Sequence, residues 1–397
     1  MDDADVIVVG AGPVGLISAL GLARSGVRVQ VLEAAPEIED SPRAIVYHWT
    51  VLEELDRLGI LGDVEARGFR KDDYAYRVYA TGESIPYSIS LLADETPYAY
   101  NIHLGQHELA AIALEHLRRL PGTDVAFGAR VSAIAQDAAG ATVTVETAEG
   151  ARRLRAGWVL GCDGASSTVR KLLGIPFEGF TWPERFVATN VRYDFERHDG
   201  FARATFQIDP VHGAVIVKID TDGLWRVTYS EDDALPEATV GERVPDHFAA
   251  LMPDREPYEL ERFTPYRMHQ RAAARFRDGR VLLAGDAAHA TNPTGGLGLT
   301  SGLFDAFALR EALAAVVLEG ADDAVLDRWA HERRRVFVDV TSPAASENKR
   351  VLYSEPDPDR RAADLEAIRA TIADPDRLRE RLKFTERLRT PVSALLG

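Results

Sequence analysis

The chain has a single cysteine, Cys162, among its 397 residues. One thiol excludes an internal disulfide and any multi-cysteine metal site, and it reads as a small apolar filler. Basic side chains are also in short supply. Lys and Arg number 46 against 62 Asp and Glu, and the net charge of -16 repels both nucleic-acid phosphates and anionic membranes. No apolar run approaches the roughly 18 residues of a membrane-spanning helix. The opening Met1-Asp2-Asp3-Ala4-Asp5 lacks the basic lead of a secretion signal. The expected protein is cytoplasmic, with neither nucleic acid nor membrane as partner, and acts as a monomer or homodimer. With 46% hydrophobic residues, a chain of this length has enough apolar content for more than one packed unit.

The first segment alternates in the manner of strand, turn, helix, strand. Val6–Val9 is too short an apolar run for a helix. A helix is predicted from about Pro13 to Ser25, stopped by Gly26, and a second strand over Val27–Leu32 ends at Glu33. Further on, Leu109, Ile112, Ala113, Leu117 and Leu120 recur at helical spacing. Residues 74–105 and 184–270 are strand-like in pattern, while Gly157–Gly161 and Val281–Ala284 are apolar runs leading into glycine turns. A nucleotide-binding pattern is thus interrupted and resumed twice. The predicted organisation is a Rossmann-like α/β domain in three pieces (1–73, 106–183 and 271–345), a strand-rich excursion (74–105), a β-rich substrate domain (184–270), and C-terminal helices on the outside (346–397).

Between the first strand and helix lies Gly10-Ala11-Gly12-Pro13-Val14-Gly15. The glycines permit a tight turn, close approach of a phosphate and close helix–strand packing. The helix N-terminus offers free N–H groups and partial positive charge to an anion. Glu33, followed by Ala34, ends the next strand, where a carboxylate accepts from ribose hydroxyls. This pattern marks a dinucleotide site without separating FAD from NAD.

Two later stretches separate them. Gly161-Cys162-Asp163-Gly164-Ala165-Ser166-Ser167-Thr168-Val169-Arg170 resembles the "DG" motif of the single-component FAD-dependent aromatic hydroxylases, the para-hydroxybenzoate hydroxylase-like family. Gly279-Arg280-Val281-Leu282-Leu283-Ala284-Gly285-Asp286-Ala287-Ala288-His289 resembles their "GD" motif, continued by Pro293, Gly295, Gly296, Gly298, Gly302 and Asp305. The resemblance runs from Asp5 to about Leu318. It implies FAD as cofactor, NADH or NADPH as co-substrate, O2, and a small aromatic substrate (phenolic, heteroaromatic or polyketide) hydroxylated through a peroxide adduct on the flavin. A reductase or dehydrogenase on the same fold is the alternative.

The resemblance also implies site roles. Gly10, Gly12, Pro13, Val14, Gly15, Glu33 and Ala34 would hold the dinucleotide. Arg43 and Ala44 would approach the pyrophosphate, Gln106 the ribityl-phosphate region, and Val131 the adenine. Asp163 would serve both the FAD side and the approach of the nicotinamide. Asp286, beside Gly285, would bind the ribityl chain, and Pro293, Gly296, Gly298 and Leu299 would border the flavin ring, Pro293 also as a pocket wall. Backbone N–H groups before the long predicted helix would favour negative charge on the reduced ring. Many family members have Gln and Asn where this chain has Leu297 and Thr300. For removal of a phenol proton the candidates are His48, His212 and Tyr229, with Tyr266 and His269 as further possibilities, His269 more in a structural part.

Overall fold

The first sheet runs, in spatial order, Arg277–Asp278, Val281–Leu283, Gly150–Gly161, Ala4–Val9, Val29–Leu32 and Thr123–Ala126. From Val281–Leu283 onward every neighbouring pair in this order is parallel. Parallel strands are covered by helices on both faces and therefore read as unbroken apolar runs, and Val6, Ile7, Val8, Val159, Leu160, Val281, Leu282 and Leu283 are all fully buried. The helices Pro13–Arg24, Gln106–Leu117 and Leu297–Glu319 pack together against this sheet. Arg130–Asp137 and Gly140–Thr147 form an antiparallel extension of the long strand Gly150–Gly161. These coordinates are a computed structural model that describes residues 4–39, 45–252, 254, 257–391 and 393–396.

The second sheet has eight strands: His289–Ala290, Glu259–Ala273, Phe177–Arg192, Leu224–Asp232, Ala214–Lys218, Ala204–Ile208, Asp73–Val78 and Ser84–Ser88. Side chains alternate between its faces. One face carries Val187, Val191, Trp225, Val227, Tyr229, Ala214 and Ile216, and is covered by the helix Val240–Leu251 through Val240, Val244, Phe248 and Leu251. The opposite face carries Tyr76, Phe186, Phe206, Val215 and Met268, which pack on Leu352, Tyr353 and Ile368 of the C-terminal segment. On this same face Tyr74, Ala204 and Val217 meet Ile45, Trp49, Ile89 and Leu92.

Two boundaries differ from the sequence reading. The β-rich unit begins at Phe177 and ends at Ala273, and it takes in Asp73–Ser88, whereas Asn101–His103 joins a separate small sheet with Val46–Tyr47 and Phe69–Lys71. The C-terminal segment is structural rather than peripheral. Trp49 Nε1 donates to the Leu382 carbonyl at 3.0 Å, and Arg333 donates to that of Leu388 at 2.7 Å. Among the described residues, no helix is long and apolar enough to cross a membrane.

Candidate active site

The glycine turn after the first strand is shaped by contacts that side chains would destroy. Gly10 has φ +108°, and a Cβ there would lie 2.5 Å from the Cys162 carbonyl oxygen; a Cβ on Gly15 would collide with the Gly10 carbonyl. At Gly12, by contrast, a Cβ would meet nothing within 4 Å. The protein leaves that side of the turn open in front of the N-terminus of Pro13–Arg24, which has no side-chain cap. An uncapped helix N-terminus facing open space is an anion site. Glu33 is fixed at its rim: Oε2 accepts from Ala11 N at 2.7 Å and Oε1 from Ala35 N at 2.8 Å. A carboxylate has about four lone-pair sites, so it retains capacity for ribose hydroxyls. Ala129 N donates to the Glu33 carbonyl at 2.8 Å, which brings the buried Val131 alongside. Gln106 opens the helix Gln106–Leu117, half-buried.

The second glycine turn follows Val281–Leu283. Residues 281–290 are buried with one exception, Asp286, which is exposed. The turn is anchored from behind. Asp305 Oδ2 accepts from Gly285 N at 3.0 Å and lies 2.7 Å from His289 Nε2, while Oδ1 accepts from Arg333 Nε at 2.8 Å. The side chains of Asp305, His289 and Arg333 are completely buried. Burial pushes the Asp305 carboxyl up, but His289 and Arg333 outweigh it and hold it below the usual carboxylate range. Gly302 permits the close approach of the long helix: a Cβ there would be 2.9 Å from Val14 Cγ2 and 3.0 Å from Gly285 Cα.

Pro293 begins a tight turn whose Gly296 N donates back to the Pro293 carbonyl at 3.0 Å. Gly295 and Gly296 have φ +92° and +68°, backbone that favours glycine. Gly296 is the N-cap of Leu297–Glu319. Pro293 is exposed, Gly298 and Leu299 are half-buried, and Leu297 is turned into the core of the first domain. Thr300 lies with its Oγ1 2.8 Å from His48 Nδ1 and 3.0 Å from the Gly296 carbonyl. His48 is thereby held against the glycine turn. Burial pushes its imidazole down to about 4, against a hydrogen bond donated to the Gly295 backbone that favours the charged form, so it is neutral at physiological pH.

Against this geometry, the chain was compared with known proteins. A family model described as FAD binding domain matches residues 3–344. The 6-hydroxy-3-succinoylpyridine 3-monooxygenase of Pseudomonas putida strain S16 is 45% identical over 386 residues, covering 97% of this chain and 98% of that one. The para-nitrophenol 4-monooxygenase of Pseudomonas sp. strain WBC-3 is 47% identical over 363 residues, covering 90% and 89%. The crystal structure of p-nitrophenol 4-monooxygenase from Pseudomonas putida DLL-E4 superposes with a TM-score of 0.93 at 46% identity, covering 98% of this chain and 99% of that one. The chain belongs to the FAD-dependent aromatic monooxygenases. A more distant member of known structure, aklavinone-11 hydroxylase in complex with FAD and aklavinone, superposes with a TM-score of 0.79 at 29% identity, covering 89% of this chain and 70% of that one.

In this monooxygenase the structure relocates three residues expected at the site. Tyr229 lies on the wrong face of its sheet: its ring stacks on His247 with centroids 4.0 Å apart, under the helix Val240–Leu251 and away from the first domain. Its register position decided this, because Val187 and Ala214 opposite it share that face. His212 sits in the loop between Ala204–Ile208 and Ala214–Lys218, its ring against Tyr79 with centroids 4.6 Å apart. Asp163 turns its carboxylate away from the cleft to hold the helix Thr168–Leu172, accepting from Ser167 Oγ at 2.5 Å, Thr168 N at 2.6 Å and Val169 N at 3.1 Å; only its backbone abuts Gly10. His269 pairs with Thr181 at 2.9 Å within the second sheet, and Tyr266 packs edge-on against Phe186. Arg43 and Ala44 lie outside the described residues.

Sequence reasoning missed Gln270 and Arg333. Gln270 Oε1 accepts from Asn292 Nδ2 at 3.2 Å and its Nε2 donates to Ser342 Oγ at 2.7 Å, which ties the Pro293 turn to the C-terminal helices. It missed Lys71 and His103 as well, two buried polar side chains beside His48.

Proposed function

We propose that this monooxygenase hydroxylates a small single-ring phenol or hydroxypyridine with O2 and NADH or NADPH. The observation that carries the reading is the half-buried His48, held by Thr300 against the Gly295–Gly296 turn, a position from which its imidazole would serve a ring bound beside that turn. The relatives matched over nearly their whole length act, by name, on a nitrophenol and a hydroxylated succinoylpyridine, both single rings.

The protein's part would divide among several residues. The open side of Gly12 and the N-terminus of Pro13–Arg24 would hold the pyrophosphate of FAD, Glu33 the adenosine ribose, and Asp286 the ribityl chain. The bound cofactor would supply the redox chemistry, hydride acceptance and activation of O2, that side chains lack. The N-terminus of Leu297–Glu319 would lend partial positive charge to a reduced, negatively charged ring system. His48, neutral before substrate arrives, takes up the phenolic proton, and the phenolate formed beside it stabilises the imidazolium. Removing that proton makes the aromatic ring a better electron donor.

The test is NAD(P)H oxidation by the FAD-loaded protein with 4-nitrophenol and with 6-hydroxy-3-acylpyridines under isotopically labelled dioxygen. One labelled oxygen atom in the organic product, with little peroxide, is the expected result. Equal turnover of NAD(P)H without dioxygen would overturn the reading in favour of a reductase.

A further inference from the structure

The small sheet shows different sides to its two neighbours. Tyr47 and Ile102, paired in its register, sit in the core of the first domain. The alternate residues look the other way. Val46 and Phe69 both pair with His103, and Lys71 pairs with Asn101, so Val46, Phe69, Lys71, Asn101 and His103 share one face. That face meets the second sheet, where His103 Nδ1 lies 2.7 Å from the Lys218 carbonyl and Val46 packs with Val215 and Val217. Its other border is the glycine turn, since a Cβ on Gly296 would lie 3.2 Å from His48 Cε1 and 3.5 Å from Val46 Cβ.

Lys71 is 1% exposed. Its Nζ rests 3.5 Å from the centroid of the Tyr74 ring and has no hydrogen-bond partner among the described residues. Two acids favour its charge, Asp73 first and Asp72 more weakly; Asp73 also accepts from the Arg203 backbone N–H through Oδ2 at 3.0 Å, with the Arg203 guanidinium 3.6 Å from Oδ1. His103 is equally buried, and its Nε2 is unpartnered while Nδ1 is taken. Burial holds the Lys71 amine far below its ordinary range and the His103 imidazole at about 3. A buried lysine amine without a hydrogen bond is costly to keep, and among the described residues it has no ion pair within salt-bridge distance. The Lys71 amine and the spare His103 nitrogen lie on the face of the small sheet turned toward the second sheet, near His48.

We propose that Lys71, with His103 beside it, receives an anionic oxygen of the aromatic substrate, so that the enzyme selects rings carrying a phenolate or carboxylate. This rests on the hydroxylase reading above for the identity of the ligand as an aromatic ring. A charge-assisted hydrogen bond at a dry site corresponds to roughly 10–100-fold in affinity.

The experiment measures dissociation constants from the perturbation of flavin absorbance in the FAD-loaded full chain. Two matched pairs serve as probes: ionised 4-nitrophenol against 4-nitroanisole, and 4-hydroxybenzoate against 4-hydroxybenzamide. The expected result is an anion preference of about tenfold or more in at least one pair, lost in Lys71→Met and in Lys71→Gln, with the neutral probes binding as before. The pair that responds identifies the anion as phenolate or carboxylate. Melting temperatures of both variants should equal or exceed that of the parent, because an unpaired buried amine has been removed; a purely structural lysine would lower them. An unchanged anion preference in the variants, or no anionic probe that perturbs the flavin, would overturn the proposal. Binding is read without turnover. Loss of anion preference with no oxygenated product would therefore sink the proposed reaction and leave the anion site standing.

Discussion

Arg333→Met tests the anchor behind the Gly285 turn. Arg333 Nε donates to Asp305 Oδ1 at 2.8 Å, Nη1 to the Leu388 carbonyl at 2.7 Å and Thr390 Oγ1 at 2.9 Å, and Nη2 to the Ser301 carbonyl at 3.2 Å. Both ionic partners are wholly buried. Breaking such a pair by removing one partner costs about 3–5 kcal/mol, and each carbonyl left without a donor adds about 1–3 kcal/mol, partly offset by the methionine filling apolar space. A net loss of about 4 kcal/mol corresponds to a fall of about 5 °C in melting temperature, because about 2.1 cal/mol/K of unfolding entropy per residue over 397 residues gives about 1.2 °C per kcal/mol. The sign of the pH response follows from Asp305. Its carboxyl is held low in the fold, so its contribution is present above the ordinary carboxylate range and is lost as pH falls through the folded value. Without Arg333, burial is opposed by His289 alone, and that loss begins at a higher pH. Thermal melts of FAD-loaded parent and variant across mildly acidic and neutral pH, with retained FAD measured by absorbance, provide the assay. A loss below about 1 kcal/mol, the size of an ordinary exposed ion pair, together with unchanged FAD retention, would refute the claim that this network holds the turn.

Other substitutions separate roles that the geometry keeps apart. Gly12→Ala should leave the melting temperature of the FAD-free protein unchanged, because a Cβ there meets no protein atom, yet weaken FAD binding about tenfold or more as measured by flavin fluorescence titration. His48→Gln should lower kcat/KM about 10²-fold. It should also flatten the acid limb of stability: a histidine depressed to about 4 contributes fully above its unfolded value near 6.5 and loses that contribution as pH falls toward 4, which melting curves over that range will register. Tyr229→Phe should leave turnover unchanged and stability equal or slightly raised, since the hydroxyl is buried without a hydrogen-bond partner; a drop in kcat would return Tyr229 to the site.

What the sequence disclosed and what it withheld follow from the range of the interactions involved. Gly10, Gly15, Gly285 and Gly302 are legible because each answers to a steric demand made within one turn or one helix contact, and a missing side chain leaves its mark in the sequence whatever packs around it. Tyr229 was misplaced because its face depends on which side of the sheet receives the helix Val240–Leu251. The apolar positions Val240, Val244, Phe248 and Leu251 do keep helical spacing, but Pro245 interrupts the segment and conceals it. Lys71 was invisible for the opposite reason. A lone lysine flanked by Arg70 and Asp72 reads as solvated, and only the pairing of Phe69–Lys71 with Asn101–His103 buries it opposite a second sheet formed by residues more than a hundred positions later. The glycine cradle is local and survives transfer between substrates. The pocket wall is assembled from three sheets, and the residues that distinguish one aromatic ring from another lie in that non-local part, on the Lys71–His103 face rather than in the motifs that identify the family.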